Sequence, residues 1–158
     1  TPHIEKVIFG TIRDLEITDT NNMGAAMAPA ASLTIGHFLR DTHSIPSDFD
    51  MILTGDLGST GSELLIKLLK AEYGLDISPV HKDCGTMIYD LEKQDVHSGG
   101  SGCGCSAAVL NSFVMHRFES GDFKNILFMS TGALLSPTST MQGESIPGIA
   151  HLLNIRKD

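Results

Sequence analysis

His97-Ser-Gly-Gly-Ser-Gly-Cys-Gly-Cys-Ser-Ala-Ala108 leads into an apolar run that ends at Phe118, and the reading of this stretch decides the fold. No charged side chain stands between Gly102 and His116, and residues 104 to 115 offer no distinctly polar face. A helix apolar on all sides is a buried helix. Its entry is rich in glycine and serine, where backbone N–H groups are left to point at a ligand with the positive end of the helix dipole behind them. The expectation is a buried central helix with a glycine-lined cavity at its head.

Working outward, Met51-Ile-Leu-Thr54 reads as a short buried strand that runs into Gly55-Asp-Leu-Gly-Ser-Thr-Gly61. A strand, a glycine-rich turn and then a helix is the arrangement with which open α/β sheets place ligands at the carboxyl ends of their strands. The helix is expected from Glu63 to Tyr73, capped by Ser59 or Thr60 and ended by Gly74. Asp56 is either a ligand-facing carboxylate or a turn-former bonded to its own backbone, the second being the commoner use of such a residue.

Further out, the β-branched residues between His3 and Thr18 predict a long strand. A helix follows from near Ala26 to about Thr42, with Pro29 in its first turn, where the missing N–H costs nothing. Residues 75 to 96 are polar and irregular, with one strand or helix turn around Thr86 to Leu91. Beyond Gly121, Lys124 to Thr131 is a second buried strand, Gly132 to Gly143 a loop, and Ile146 to Ile155 a closing strand antiparallel to its predecessor. This order predicts an α/β fold with a mixed sheet.

The whole is 158 residues, 41% hydrophobic, the make-up of one globular domain. A net charge of −8 without clustered Lys or Arg argues against nucleic acid as a partner. No apolar stretch reaches the roughly 20 residues of a membrane span, so a soluble chain is expected. It opens Thr1-Pro2 rather than on an initiator Met, which suggests a piece of a longer protein. Cys84, Cys103 and Cys105 lack both an even count and metal-ligand spacing, so neither a disulfide framework, a metal nor a cofactor is expected. His43 and His81 fall in hydrophilic loops and read as solvated, His116 as a satisfied core residue, and His37 has no assigned role.

Several segments carry a resemblance. Asn22-Met-Gly-Ala-Ala-Met-Ala-Pro-Ala-Ala31, Asp83-Cys-Gly85, Gln94 through Ala107, Gly132-Ala-Leu-Leu-Ser-Pro137 and Gln142-Gly-Glu-Ser-Ile-Pro147 resemble the stage V sporulation protein AD family of endospore-forming bacteria. The order of elements resembles the C-terminal half of the wider thiolase and ketoacyl-synthase superfamily. The resemblance implies a thiolase-like half with a five-stranded mixed sheet, residues 1–158 forming a C-terminal domain whose N-terminal half lies elsewhere in a longer chain.

The resemblance also implies a non-catalytic role. Condensing relatives place a basic His in the turn where Asp56 stands, and an ionised carboxylate there only accepts hydrogen bonds. Their nucleophilic Cys belongs to the other half. What the resemblance implies instead is binding of dipicolinic acid, or its calcium chelate, for uptake into the developing spore. The expected partners are the N-terminal half and other transport-complex proteins, with the chain peripheral to the inner spore membrane. The expected pocket comprises Gly99, Gly100, Cys103, Gly104 and Cys105 of the glycine loop, Asp56, and Ser136, Pro137, Thr138 and Met141 of the later loop. His97, Ser136 and Thr138 serve there as polar contacts and Pro137 and Met141 as ring contacts, although Met141 and His97 also suit plain packing and a backbone bond. An acyl-transferring half and a purely structural module are the alternatives. A helix without a polar face also predicts self-association through an exposed flank.

Overall fold

The computed structural model describes residues 1–158 in full. Its strands are β1 (His3–Ile8), β2 (Met51–Thr54), β3 (His81–Asp83), β4 (Asn125–Ala133) and β5 (Gly148–Arg156). They form one five-stranded sheet in the order β1-β5-β4-β2-β3. β2 runs parallel to both β3 and β4, whereas β5 is antiparallel to β4 and β1. The sheet is therefore mixed and the α/β class holds.

Strand alternation builds two cores. Ile52 of β2, Leu127 and Met129 of β4 and Leu152 of β5 face one way, and Met51, Leu53, Ile126, Phe128 and Ile155 face the other. The first face is covered by α1 (Met23–Asp41) and α2 (Gly58–Tyr73), through Ile35, Phe38, Leu39, Leu65 and Leu69. Asn22 caps α1 by accepting from the Ala25 N–H at 3.3 Å. α1 and α2 close on each other at Gly24 and Gly61, where a Cβ on Gly24 would lie 2.5 Å from the Leu57 carbonyl oxygen.

The second face is covered by α3 (Cys84–Met87) and by one continuous rod, α4 (Cys103–Val109), a π-helical turn (Leu110–Val114) and α5 (Met115–Ser120). Cys105, Val109, Val114 and Phe118 are its buried stripe. Their spacing of four, five and four residues needs the π turn: the extra residue returns Val114 to the face that Val109 occupies. The expectation of a buried central helix is corrected here to a rod buried on one side, with the exposed flank that was also expected. Ala107, Ala108, Asn111, Ser112 and Phe113 are exposed, because the chain packs a sheet against one side of the rod and nothing against the other. His116 also lies on the exposed side rather than in the core.

Other boundaries differ for identifiable reasons. β1 ends at Ile8; beyond it Gly10 is pressed against the Ala150 carbonyl, and only Arg13 regains the sheet, in an isolated bridge to Gly148. Pro29 sits seven residues into α1, past its first turn. α2 begins at Gly58 with no cap from Ser59 or Thr60. The tract 75–96 contains β3 and α3, and the loop after β4 holds a short helix, α6 (Pro137–Met141). Gly74 and Gly121 end their helices in the left-handed conformation, as expected. No helix is long and apolar enough to cross a membrane.

Candidate functional site

The register of β2 on β4 pairs Thr54 with Met129, which brings the turn after β2 beside Thr131. In that turn Asp56 bonds across the molecule rather than to its own backbone. Its N–H donates to Thr131 Oγ1 at 3.0 Å, and that hydroxyl donates to Asp56 Oδ1 at 2.8 Å. Ser101 Oγ and the Gly102 N–H donate to Oδ2 at 3.1 and 2.9 Å. One carboxylate thus ties the ends of two parallel strands to the head of α4.

Above it lies a cavity of about 290 Å³, lined by Met23, Met27, Asp56, Ser101, Gly102, Cys103, Ser106, Thr131 and Ala133. A smaller space of about 130 Å³ shares Met23, Met27, Asp56 and Ser101 and extends to Gly58, Gly99 and Gly100. Asp56 is the charged side chain of both walls. A larger cavity, about 480 Å³, lies between β1 and the rod; its walls are mostly apolar, with Ile4, Leu110, Met115, Leu153 and Ile155, and its polar residues are Thr1, His3 and Glu119. The strand-end cavity is the better candidate, because convergent polar groups fix and orient a ligand.

The glycine loop is less open than its composition suggests. The Gly99 N–H donates to the Val96 carbonyl, Gly100 to Gly85, Gly102 to Asp56 and Cys105 to Gly102. Ser101, Cys103 and Gly104 retain N–H groups without a protein acceptor. Glycine at 99 and 100 answers to packing: a Cβ on Gly99 would lie 2.4 Å from the Gly85 carbonyl oxygen, and one on Gly100 would lie 2.5 Å from Ile88. Gly104 faces open space.

The remaining expected residues are scattered. His97 has a side chain 92% exposed, 3.8 Å from Asp95, and lines neither strand-end space. Ser136 caps α6 by accepting from the Ser139 N–H at 3.1 Å. Ser136, Pro137 and Thr138 are exposed, Met141 is 81% exposed, and none of the four reaches the cavity, whose wall from this segment is Ala133. Cys103 lines the cavity, whereas Cys105 is buried beneath it. All three cysteines are free thiols. Burial, then the neighbouring Asp56 and Asp83, raises the Cys105 thiol, and burial with Asp83 close by pushes Cys84 far above the ordinary thiol range. Both stay protonated at neutral pH, the unreactive state. No group of three or more His, Cys, Asp or Glu side chains is placed to hold a metal ion.

Two residues that sequence reasoning missed stand beneath the turn. Asp83, buried at the end of β3, accepts from Thr54 Oγ1 at 2.6 Å and the Leu57 N–H at 2.9 Å on one oxygen, and from the Gly58 N–H at 3.0 Å on the other. This carboxylate, not Ser59 or Thr60, satisfies the first amides of α2. His81 is buried, not solvated, with Nε2 3.0 Å from Thr54 Oγ1. The Thr54 hydroxyl has one proton and gives it to Asp83, so the ring donates and carries its proton on Nε2. The available signal was the alternation of His81 and Asp83 about an exposed Lys82.

Burial, with a smaller effect from Lys82, lowers the His81 pKa to about 4. The unfolded chain then binds the additional proton between the ordinary histidine value and about 4, so stability is complete above about pH 6.5 and is lost as pH falls through this window. Asp83 has the opposite sign: burial raises its carboxyl, which favours the folded state as that group protonates. Urea unfolding is expected to show His81 costing about 2 kcal/mol between about pH 7 and about pH 4.5. His81→Asn, which keeps a donor for Thr54, should remove that slope; an unchanged slope would place the pH dependence elsewhere.

Comparison with known proteins places this geometry. A family model described as stage V sporulation protein AD matches residues 1–156. Stage V sporulation protein AD of Bacillus subtilis (strain 168) is 45% identical over 148 residues, covering 94% of this chain and 43% of that protein. The chain therefore spans less than half the length of this curated relative. Among solved structures, a tetronic acid condensing enzyme superposes with a TM-score of 0.51 at 12% identity, covering 99% of this chain and 47% of the enzyme. At that identity the match speaks for the fold alone.

Proposed function

The chain belongs to the stage V sporulation protein AD family and has a thiolase-like fold, and on that premise we propose that it forms one wall of a non-catalytic site for dipicolinic acid or its calcium chelate. The observation that supports this reading is the polar strand-end cavity, whose lining includes Ser101 and Cys103, two residues with N–H groups that have no protein acceptor. Such amides meet carboxylates well. The ligand is a dianion and Asp56 offers no countercharge, so its charge is met by these amides or by a chelated calcium ion.

In this reading the protein serves uptake of the ligand into the developing spore, peripheral to the inner spore membrane and alongside other transport-complex proteins. The exposed side of the rod, from Ala107 to Phe113, is where the N-terminal half of the longer protein packs. Self-association through the same side is the expected behaviour where that half is absent. An acyl-transferring role has less support, since the resemblance sets Asp56 where condensing relatives carry a basic His, and two of the three thiols, Cys84 and Cys105, are buried and held protonated.

Dipicolinate, with and without calcium, is expected to raise the melting temperature by several degrees at saturation, since a ligand at about 100 times its Kd adds about 2.7 kcal/mol. Ser106→Leu fills the cavity wall and should abolish the shift while leaving the unliganded transition nearly unchanged. An intact-mass gain on incubation with an acyl thioester would instead favour the acyl-transfer reading, and no thermal shift with either ligand form would remove the binding one.

A further inference from the structure

We infer that Asp83 is the positioning residue of the strand-end cavity, holding the turn from which Asp56 reaches the cavity wall. Asp83 is not part of that wall. Its three donors, Thr54 Oγ1 and the N–H groups of Leu57 and Gly58, belong to residues on both sides of Asp56. Asp56 then accepts from Ser101, Gly102 and Thr131. The two carboxylates act in series: Asp83 fixes the turn, the turn fixes Asp56, and Asp56 fixes the head of the glycine loop.

A second connection leaves the same short segment. The Gly85 carbonyl accepts from the Gly100 N–H at 2.7 Å, and the Gly58 end of the turn is bound to the loop through the Ser59 N–H and the Ser98 carbonyl at 2.8 Å. There is no slack between these layers: a Cβ on Gly85 would lie 2.5 Å from the Gly100 oxygen and 2.8 Å from Asp83 Oδ2, and one on Gly58 would lie 2.8 Å from the Ser98 oxygen. Backbone packed this closely passes a displacement on rather than absorbing it. A change in how Asp83 holds Leu57 and Gly58 is therefore felt at Gly102, which Asp83 does not touch.

Asp83→Asn is the informative change, because it keeps shape and one acceptor oxygen while setting an NH2 group against an N–H donor. Amide hydrogen exchange is expected to accelerate at least about tenfold at Gly102 and Ser59, with the β4–β5 ladder amides of Leu153 and Ile155 unchanged. Thr54→Val, which removes one donor and leaves both backbone bonds, should give the same pattern more weakly and serves where Asp83→Asn does not fold. Gly102 exchange that stays at the wild-type rate, or that rises in step with the ladder, would overturn the inference. For the ligand, the inference rests on the dipicolinate reading, and dipicolinate affinity should weaken by about tenfold in Asp83→Asn. Failure of the wild-type chain to bind dipicolinate would overturn that reading only, since exchange at Gly102 tests the positioning without a ligand.

Discussion

Phe118→Ala is expected to lower the unfolding free energy by about 4 kcal/mol, the middle of the range for deleting a buried aromatic ring. Phe118 is fully buried at the end of the stripe that holds the rod on the sheet, and its ring meets Phe123 edge-on with centroids 6.1 Å apart. Removing it empties a space bounded by strands that cannot collapse inward. The melting temperature should fall by roughly 10 °C. Phe113, five residues earlier and 37% exposed, also meets Phe123 edge-on and lies under the Arg117 guanidinium. Phe113→Ala should cost under about 1 kcal/mol in the monomer, at protein concentrations too low for self-association. Comparable losses at the two positions at higher concentration, measured by urea unfolding, would mean that the exposed side is covered by a second copy in solution.

The contrast between Phe118 and Phe113 also explains why the rod was legible only in part. Its existence followed from the uncharged run after Gly102, and its position against the sheet was implied by apolarity. Which side is buried was hidden by the π turn, because the spacing Val109 to Val114 breaks the 3.6-residue period on which a stripe is recognised. The strands β2, β4 and β5 were readable because their alternate residues are apolar on both faces. β3 was not: its inward residues are His81 and Asp83, so a test that looks for buried apolar groups finds none. β1 was overextended because β-branched composition reports fit to a pleated surface, not the point where the chain leaves the sheet.

The candidate site divides in the same way. A strand ending in a glycine turn points to the carboxyl end of the sheet, and Asp56, Cys103 and the glycine loop do line a common cavity there. The segment 136–141 composes well as a polar loop with a proline, yet its residues fold into the exposed helix α6 and cap themselves. The Asp83 and His81 network was invisible for a different reason: a buried carboxylate is identified by the donors around it, and those donors lie 25 to 29 residues away in sequence.

Gly99→Val is expected to destabilise the chain by about 4 kcal/mol and to abolish binding at the strand-end cavity, whereas Gly104→Val, in the same loop-and-helix stretch, should cost under about 1 kcal/mol. At Gly99 two effects add. Its φ of +120° lies where a β-branched residue is strained, and its Cβ would fall 2.4 Å from the backbone oxygen of Gly85, which belongs to the segment that holds the turn. Neither can relax without lifting the loop off Gly85 and breaking the Gly100 bond. A Cβ on Gly104 would meet no heavy atom within 4 Å, and the residue lies in ordinary helix, so only the helix-propensity difference acts. Urea unfolding of both variants, with dipicolinate-induced thermal shifts beside it, separates glycine kept for backbone packing from glycine kept for ligand approach. Intact stability with lost ligand binding in Gly99→Val would show the loop to be the open cradle that its composition first suggested, and the tight stacking on Gly85 would then carry no energetic weight.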